Sequence, residues 1–549
     1  MMLKKLFLKF YFRGFGFKYY PLRFKKSFLV ERVFPQKINN SNFKKGRKAY
    51  RVELASECPN LSLNNLWSKD NIFIQDRENY SLLHRWTWAI KLFSKNFFIK
   101  SDEIKFVEDS IYNWCLKNYK KKIDKKNILF EPYNISERIS NYLILINLNI
   151  IKPDQFVLAS LENQYIYLLE NIEIYYKKKS NHALNNLRAI ILFSSFVKNK
   201  KINNYALGFI ISLLRKYIDK DGFFKFGSSN YQFIFTRWLA DIIIFNNNIN
   251  LKKIKIIKFF FNKARNATSY FYSKNLNLTS PNFGNISPDI NNKWLQCLYF
   301  GSNKFFFKKY KKNFPFKTAK KRIISAEWFR LSNMNFTFYC RNPKYTGFDF
   351  NHSHNDFFHF VLYYKHFPLL VDLGRENYSK KNLEYFSSGN THNSFLINNK
   401  PLFDDYLSHN FLTKIGLTNL KILKYKVKQI NNNKITMSFK SNNLHIFRTI
   451  IFKKKIITIE DFIQSPFLNE VKLRMNFHPS LKIKNKKNLC TITKLNKNIY
   501  IELNSDTKSK CNILDDFYYY DYGVPKKNKV LFFYLKGNKK INVTTTIKI

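Results

Sequence analysis

The stretch NHSHNDFFHFVLYYKHFPLLVDLG, beginning at Asn351, holds four of the chain's ten histidines: His352, His354, His359 and His366. In an extended backbone, residues 352, 354 and 356 share one face. His352, His354 and Asp356 then present two imidazoles and a carboxylate together. His-x-His on a strand is a common way to offer two nitrogen ligands to a metal. The run PLLVDLG brings Asp372 to the end of an apolar strand, and GNTHNSF places His392 before the next one. These positions predict a three-ligand set of His354, Asp372 and His392 that joins two hairpins and stiffens a sheet. Two nitrogens and one oxygen suit zinc, with water as a fourth ligand. His359 and His366 have no comparable partners and read as solvent-facing or core-edge residues.

The elements that must carry these residues change character along the chain. From about Trp86 to Lys263, segments such as DEIKFVEDSIYNWCLKNY, SERISNYLILINLNI and NNYALGFIISLLRKYI repeat apolar residues every three or four positions, the period of amphipathic helices. Short polar breaks between them predict antiparallel hairpins, stacked as a bundle or closed into a ring. After about Lys320 the runs are short, aromatic and β-branched, as in FTFYCRN, KITMSFKS and VLFFYLKG. They predict an antiparallel β-sandwich. The expected organisation is a basic aromatic leader and entry segment over 1–79, a helical domain over 80–319 and a β-sandwich over 320–549. Residues 264–319, Asn- and Phe-rich with little periodicity, read as a join inside the helical domain.

Lys plus Arg number 95 against 37 for Asp plus Glu, a net charge of +58 in 549 residues. Such an excess invites an anionic partner: nucleic acid, acidic lipid or acidic polysaccharide. Part of it reflects composition, because abundant Lys, Asn, Ile, Phe and Tyr with only 14 Gly and 14 Pro is the bias of an AT-rich genome. The charge is spread along the chain and no helix-turn-helix, finger or RNA-recognition motif is present, which argues against nucleic acid. Six separated cysteines without a CxxC pair argue against a cysteine zinc site or a disulfide framework. The leader MMLKKLFLKFYFRGFGFKYY is interrupted by Lys9, Arg13 and Lys18. It reads as an amphipathic segment able to lie on an anionic membrane, not as a secretory signal. No apolar run reaches the roughly 18–20 residues that span a bilayer.

The motif HSHNDFFHFVLYYKHFPLLVDLG…THNSFLINN resembles the C-terminal sandwich of the heparinase II/III-like polysaccharide lyases, which typically show His-x-His-x-Asp, an apolar hairpin ending in Asp-x-Gly, then His-Asn. FRTIIFKKKIITIEDFI and RMNFHPS are similar to later strands of that domain. In the helical half, EPYNISERISNYL, SNHALNNLRAIILFSSF and DGFFKFGSSNYQ resemble further family segments in the same order. The likeness covers roughly residues 80–549. It implies an α/α toroid followed by a β-sandwich, with an active site in the cleft between them. The chain departs from the family at Phe226, where members often carry Glu, at Gln232 in place of His, and at Phe130 in place of Trp. These departures bear on substrate preference.

The resemblance also implies β-elimination of a uronic-acid polymer. That reaction needs a donor for the carboxylate, a base for the proton α to it, and an acid for the leaving oxygen. Asn181, at a predicted helix start, offers amide N–H groups where the helix dipole favours an anion. The same position is that of an ordinary N-cap. Tyr231 is the expected acid and, beside a cation, also the base. His352 is the expected base or second carboxylate contact. His182 and Arg138 are expected to orient the sugar, with Tyr133 of the EPY motif beside them. The metal at His354, Asp372 and His392 is expected to be structural zinc. The leading expectation is therefore a lyase acting on an acidic glycan at the cell envelope or periplasm. A uronate carbon-5 epimerase and a non-catalytic glycan-binding protein of surface-polysaccharide assembly are the alternatives.

Overall fold

The computed structural model describes residues 42–67, 76–124, 127–173, 180–246, 250–271, 280–300, 302, 304–313, 327–343, 352–365, 367–402, 425–468, 470–494, 497–537 and 539–549. The basic leader up to residue 41 and His366 lie outside the described residues. Packing divides the chain into two units. The first runs through Phe224 and adds Phe233–Asn266 and Pro288–Lys317. The second holds Lys225–Gln232, Ala267–Ser287 and Thr318–Ile549.

The first unit is helical. Its elements are α1 (Arg77–Arg85), α2 (Thr87–Lys95), α3 (Ser101–Asn118), α4 (Pro132–Asn147), α5 (Gln155–Glu170), α6 (Ser180–Phe196), α7 (Lys200–Tyr217), most of α8 (Ser229–Phe245) and α9 (Leu251–Ser269), α10 (Asn292–Phe300) and α11 (Phe305–Asn313). A small hairpin of β1 (Tyr50–Arg51) and β2 (Asn60–Leu61) precedes them. Local chemistry sets the boundaries. Asp76 caps α1 by accepting from the backbone N–H groups of Glu78 and Asn79, satisfying donors that the first turn leaves open. Trp86, at φ 59°, turns the chain from α1 into α2. Pro132 opens α4, where a missing N–H does no harm. Helix α4 is buried along most of its length and packs on α1, α2, α5 and α6, while α6 packs in turn on α7. Of these pairs, α6–α7 joins sequence neighbours as the expected hairpins would, whereas α4 packs most extensively on α6, two helices along. The stretch 264–319, expected to lack periodicity, holds α10 and α11. Their apolar faces are short and rich in Phe and Trp, which blurs a helical period.

A buried ionic network fastens four of these helices. Arg188 of α6 donates to Glu137 of α4 at 2.7 Å and to Asp241 of α8 at 3.1 Å. Tyr310 of α11 donates its hydroxyl to the other oxygen of Asp241 at 2.6 Å.

The second unit is antiparallel β-structure. Strands β3 (Trp328–Ser332), β4 (Phe336–Arg341), β5 (Phe360–Tyr364) and β6 (Phe367–Leu370) form one four-stranded sheet. After them come β7 (Phe395–Ile397), β8 (Tyr425–Asn431), β9 (Lys434–Lys440), β10 (His445–Phe452), β11 (Ile456–Gln464), β12 (Glu470–Asn476), β13 (Lys482–Lys486), β14 (Leu489–Lys494), β15 (Lys497–Ser505), β16 (Ser509–Tyr518), β17 (Lys526–Lys536) and β18 (Lys540–Lys548). A second four-stranded sheet runs β16-β17-β12-β7, and an eight-stranded sheet runs β13-β14-β15-β18-β11-β10-β9-β8. Residues from all three, among them Phe338, Ile435, Ile457, Leu473 and Phe533, share one apolar core. The strands alternate buried and exposed residues, most clearly in β10, β11 and β18, as a sandwich with one solvated face requires. A short helix, α12 (Lys380–Ser387), interrupts the sequence between β6 and β7. Among the described residues no helix is long and apolar enough to cross a membrane.

Two predictions follow from the first unit's interior. Asp241→Asn leaves Glu137 as the one remaining carboxylate among these pairs for two buried guanidinium groups, Arg188 and Arg237. The expected loss is about 3–5 kcal/mol, read by urea unfolding; an unchanged midpoint contradicts it. His84 is buried and its Nδ1 accepts from the Trp114 indole N–H at 2.8 Å. Burial, helped by the charge of Arg138, pushes its pKa well below the ordinary 6.5, so the folded form is neutral. Below about pH 6.5 the unfolded chain binds a proton that the folded chain refuses. Stability is therefore full above that pH and falls with acidification, by up to about 1.4 kcal/mol per pH unit for this group. His84→Gln, which keeps an acceptor for Trp114, should flatten the decline in thermal midpoint between about pH 7 and pH 5.

Candidate active site

The three residues expected as ligands lie together in the second unit. His354, Asp372 and His392 are buried, and one ligand atom from each lies within 4.8 Å of the others. Asp372 Oδ2 is 3.0 Å from His392 Nδ1. Its other oxygen, Oδ1, accepts from the Gly374 N–H at 2.9 Å. His354 Nε2 is 2.7 Å from Asn285 Oδ1, which leaves Nδ1 without a hydrogen bond. Neither nitrogen of His392 nor Asp372 Oδ2 has a partner in hydrogen-bond geometry. Buried polar atoms without partners are costly, and here they converge as two imidazoles and a carboxylate. That donor set fits a bound cation such as zinc. Burial favours the neutral form of Asp372, but the imidazoles of His392 and His359 outweigh it and hold the carboxyl well below its usual range.

His359 corrects the sequence reading. It is fully buried, with Nε2 3.1 Å from Asp372 Oδ2. The preceding Phe358 adopts φ 59°, a left-handed conformation rare for a bulky residue, and β5, which follows, is buried at every position, so no alternation turns His359 outward. Phe358 is held there at both ends: its N–H donates to the Tyr425 hydroxyl and its carbonyl accepts from Arg448. Asn393 completes the support. Its backbone N–H donates to His359 Nδ1 at 2.9 Å, its amide donates to the carbonyls of Phe360 and Val371, and its Oδ1 accepts from Asn476 N–H. One side chain thereby ties β5, β6 and β12 behind the ligands.

The HSHND segment is not a strand, so the expected common face of residues 352, 354 and 356 does not exist. Asp356 accepts from Arg341 at 2.7 Å, His354 joins the ligand set, and His352 stacks on Tyr231. The Tyr231 and His352 rings have centroids 3.5 Å apart at 12°. The Tyr231 hydroxyl lies 3.3 Å from that of Tyr378. Tyr378 in turn sits under the Arg375 guanidinium, 5.0 Å from its ring centre.

Tyr231 was expected within the helical domain, yet its segment packs with the second unit. Backbone and side-chain bonds explain this. Ser229 N–H donates to Phe283 carbonyl. Ser228 and Ser229 hydroxyls donate to the carbonyls of Asn285 and Pro281. Asn285 N–H donates to His352 carbonyl at 2.8 Å. Residues 281–287, read as part of a featureless join, are thus the strut between Tyr231 and His352. Gly284 is required in it: at φ +70°, a Cβ there would sit 2.3 Å from the His352 carbonyl oxygen.

The first unit holds the remaining expected residues. Asn181 lies in the first turn of α6, one residue inside its start, and is buried. His182 Nδ1 is 3.0 Å from both Glu173 oxygens, and its ring packs on Tyr133 at 4.6 Å. Glu173 was not singled out in the sequence. It orients His182 and, with Glu131, completes a second group of ligand-type atoms within 4.8 Å. The Tyr133 hydroxyl donates to Asp289 at 2.7 Å, and Arg85 donates to the other Asp289 oxygen at 2.6 Å. Burial raises the Asp289 pKa, but Arg85 and the Tyr133 hydroxyl more than offset it and keep the carboxyl low. Arg138 corrects its expected role. Its guanidinium is enclosed, donating to Gln164, His84 carbonyl and Leu129 carbonyl and stacking on Trp114 at 4.4 Å. It braces helices and does not face a sugar.

Residues 317–546 match the family described as Heparinase II/III-like, C-terminal. No curated protein matches the chain. Among solved structures, heparinase III aligns with a TM-score of 0.66 at 15% identity, covering 88% of this chain and 79% of that one. A mutant of heparan sulfate lyase HepC from Pedobacter heparinus aligns at 0.58 and 15%, covering 91% and 81%. The unmutated HepC aligns at 0.53 and 16% over the same shares. At these identities the likeness establishes fold. Residues 317–546 therefore belong to the heparinase II/III-like C-terminal family, and the chain carries the heparinase III fold of an α/α toroid followed by an antiparallel β-sandwich.

Proposed function

We propose that this protein is a polysaccharide lyase that cleaves an acidic, uronate-containing glycan by β-elimination. The observation that carries the reading is Tyr231, a phenol stacked on His352, beside a buried ligand set in a heparinase II/III-like domain. The net charge of +58 and the likeness to a heparan sulfate lyase support a polyanionic glycosaminoglycan-type substrate.

In this reading Asn181 donates its amide N–H groups to the uronate carboxylate and so eases removal of the α-proton. The base takes that proton from carbon 5. The electron pair forms the carbon 4–carbon 5 double bond, and the bond from carbon 4 to the glycosidic oxygen breaks. Tyr231 protonates the departing oxygen. His182, aimed by Glu173, and Tyr133 orient the sugar. His354, Asp372 and His392 would hold zinc, whose contribution there would be structural, fixing the segment that carries His352.

Elimination conjugates the new double bond with the carboxylate, so product absorbs in the ultraviolet. On a uronate polymer that wild type cleaves, Tyr231→Phe should lower kcat by about 10²–10⁴ with little change in KM. Asn181→Ala should lower kcat and raise KM, because the carboxylate contact serves ground and transition states alike. Full turnover by Tyr231→Phe overturns the assignment. Incorporation of solvent deuterium at carbon 5 without absorbance identifies an epimerase instead.

Elemental analysis should find about one zinc per chain, and His354→Ala should lose it. Wild type that takes up no zinc and gains no stability on zinc addition contradicts the metal assignment.

A further inference from the structure

We propose that the outer face of α9 docks on an anionic lipid bilayer, the helix lying flat with Leu251, Ile256 and Phe259 sunk among the headgroups. The inference goes beyond the lyase reading and stands or falls without it.

Helix α9 has the sequence LKKIKIIKFFFNKARNATS. Ile254, Ile257, Phe261 and Ala264 are buried, a stripe at helical spacing that fixes which face the protein covers. Two lysines strengthen the seat. Lys253 Nζ donates to the Asn204 carbonyl of α7 at 2.7 Å, and Lys263 Nζ donates to the Lys220 carbonyl at 3.2 Å. At about 100° per residue, the opposite arc spans roughly 160° and interleaves Lys252, Lys255 and Lys258 with Leu251, Ile256 and Phe259. All six are exposed. Leu251 keeps 60% of its surface in the open, Phe259 55% and Ile256 37%. Between Asp241 and Asp289 every charged residue is Lys or Arg. Among the described residues Lys252, Lys255 and Lys258 form no salt bridge. The basic surface continues past the start of α9. Asn250 Nδ2 donates to Asn204 Oδ1 at 2.8 Å, and the exposed Lys198, Lys200 and Lys201 lie at the start of that same helix α7.

Single apolar residues on a surface are ordinary. Here three share one arc with three lysines and no acid, the composition of a helix that lies in a membrane interface. Charge selects the sign of the partner, and the apolar tips select its kind. Lysine ammonium groups meet lipid phosphates while their stems let neighbouring side chains reach the acyl boundary. A sulfated glycan or a nucleic acid would pair the lysines but leave Leu251 and Ile256 in water, because a branched aliphatic side chain offers no flat face to a sugar or a base. The buried stripe makes this a preformed surface, so little ordering entropy opposes docking.

The test is co-sedimentation of the full chain with sucrose-loaded vesicles, either pure phosphatidylcholine or phosphatidylcholine with about one-third phosphatidylglycerol. Wild type should sediment with the anionic vesicles, much less with the neutral ones, and less as salt rises. The triple variant Lys252→Gln, Lys255→Gln, Lys258→Gln should lower the partition coefficient about 100-fold, about fivefold per lysine. Phe259→Ser, which changes no charge, should lower it about tenfold, and Phe259→Leu should restore it. Replacing Lys453, Lys454 and Lys455, exposed in the turn between β10 and β11, by Gln removes the same charge elsewhere and should cost less than about twofold. Wild type that ignores anionic vesicles, or binds neutral ones equally, overturns the proposal. So does a Phe259→Ser variant that binds like wild type, or an equal loss from the two lysine triples; either places the contact elsewhere on the chain. Heparin binding that depends on Lys252, Lys255 and Lys258 without vesicle binding assigns the face to a glycan and overturns the proposal as well. None of these outcomes depends on turnover.

Discussion

A carboxylate with 2% of its surface exposed is the constraint around which the β unit is organised. Asp372 has water on no side, and the free energy of its charge must be met by neighbours. Two imidazoles stand about 3 Å from one oxygen, and a backbone N–H serves the other. Each of those groups needs support of its own. His359 receives it from Asn393, His354 from Asn285, and Asn393 from the edge of β12. The polar interior of this unit is a network around the carboxylate that is incomplete at His392, whose ring nitrogens have no partner in hydrogen-bond geometry. Such networks are stable when complete and unforgiving when partly satisfied.

The helical unit solves a different problem in the same way. Helix α4, buried along most of its length, carries charged and polar residues inward, and Glu137 and Arg138 are both enclosed. Arg138 is matched by carbonyls and an amide, Glu137 by Arg188. Asp289 is matched by Arg85 and Tyr133. Apolar packing supplies most of the driving force for such a core, while these pairs limit which helices are able to face one another.

The sequence was most legible where period and spacing are local. Helical and strand periods distinguished the two halves, and the proximity of His354, Asp372 and His392 was readable because each adjoins an apolar strand pattern. His359 was misread because it follows a left-handed Phe358 and precedes a strand buried at every position, and a Phe gives no signal for that conformation. Asn285 was invisible for another reason. It is one asparagine in an Asn-rich stretch, and only the return of residues 281–287 against Ser228, Ser229 and His352 distinguishes it. Arg138 was misassigned because a motif preserves a residue's position without saying whether its side chain faces a cleft or a helix. Tyr231 had the right identity, but its packing partners come from segments far away in sequence.

The bonds made by Asn393 tie the candidate site to a distant part of the chain. Its side chain is satisfied only when β5, β6 and the end of β12 are all in place, and the last of these lies 83 residues downstream. The same residue donates its backbone N–H to His359, so the seat of that imidazole is tied to the same strands. Closing loops of that length precedes any enthalpic return. A cluster built this way draws its support from a strand far downstream of its own histidines. A chain cut short of Asn476 would carry His354, Asp372 and His392 without the bond that anchors Asn393 beside them.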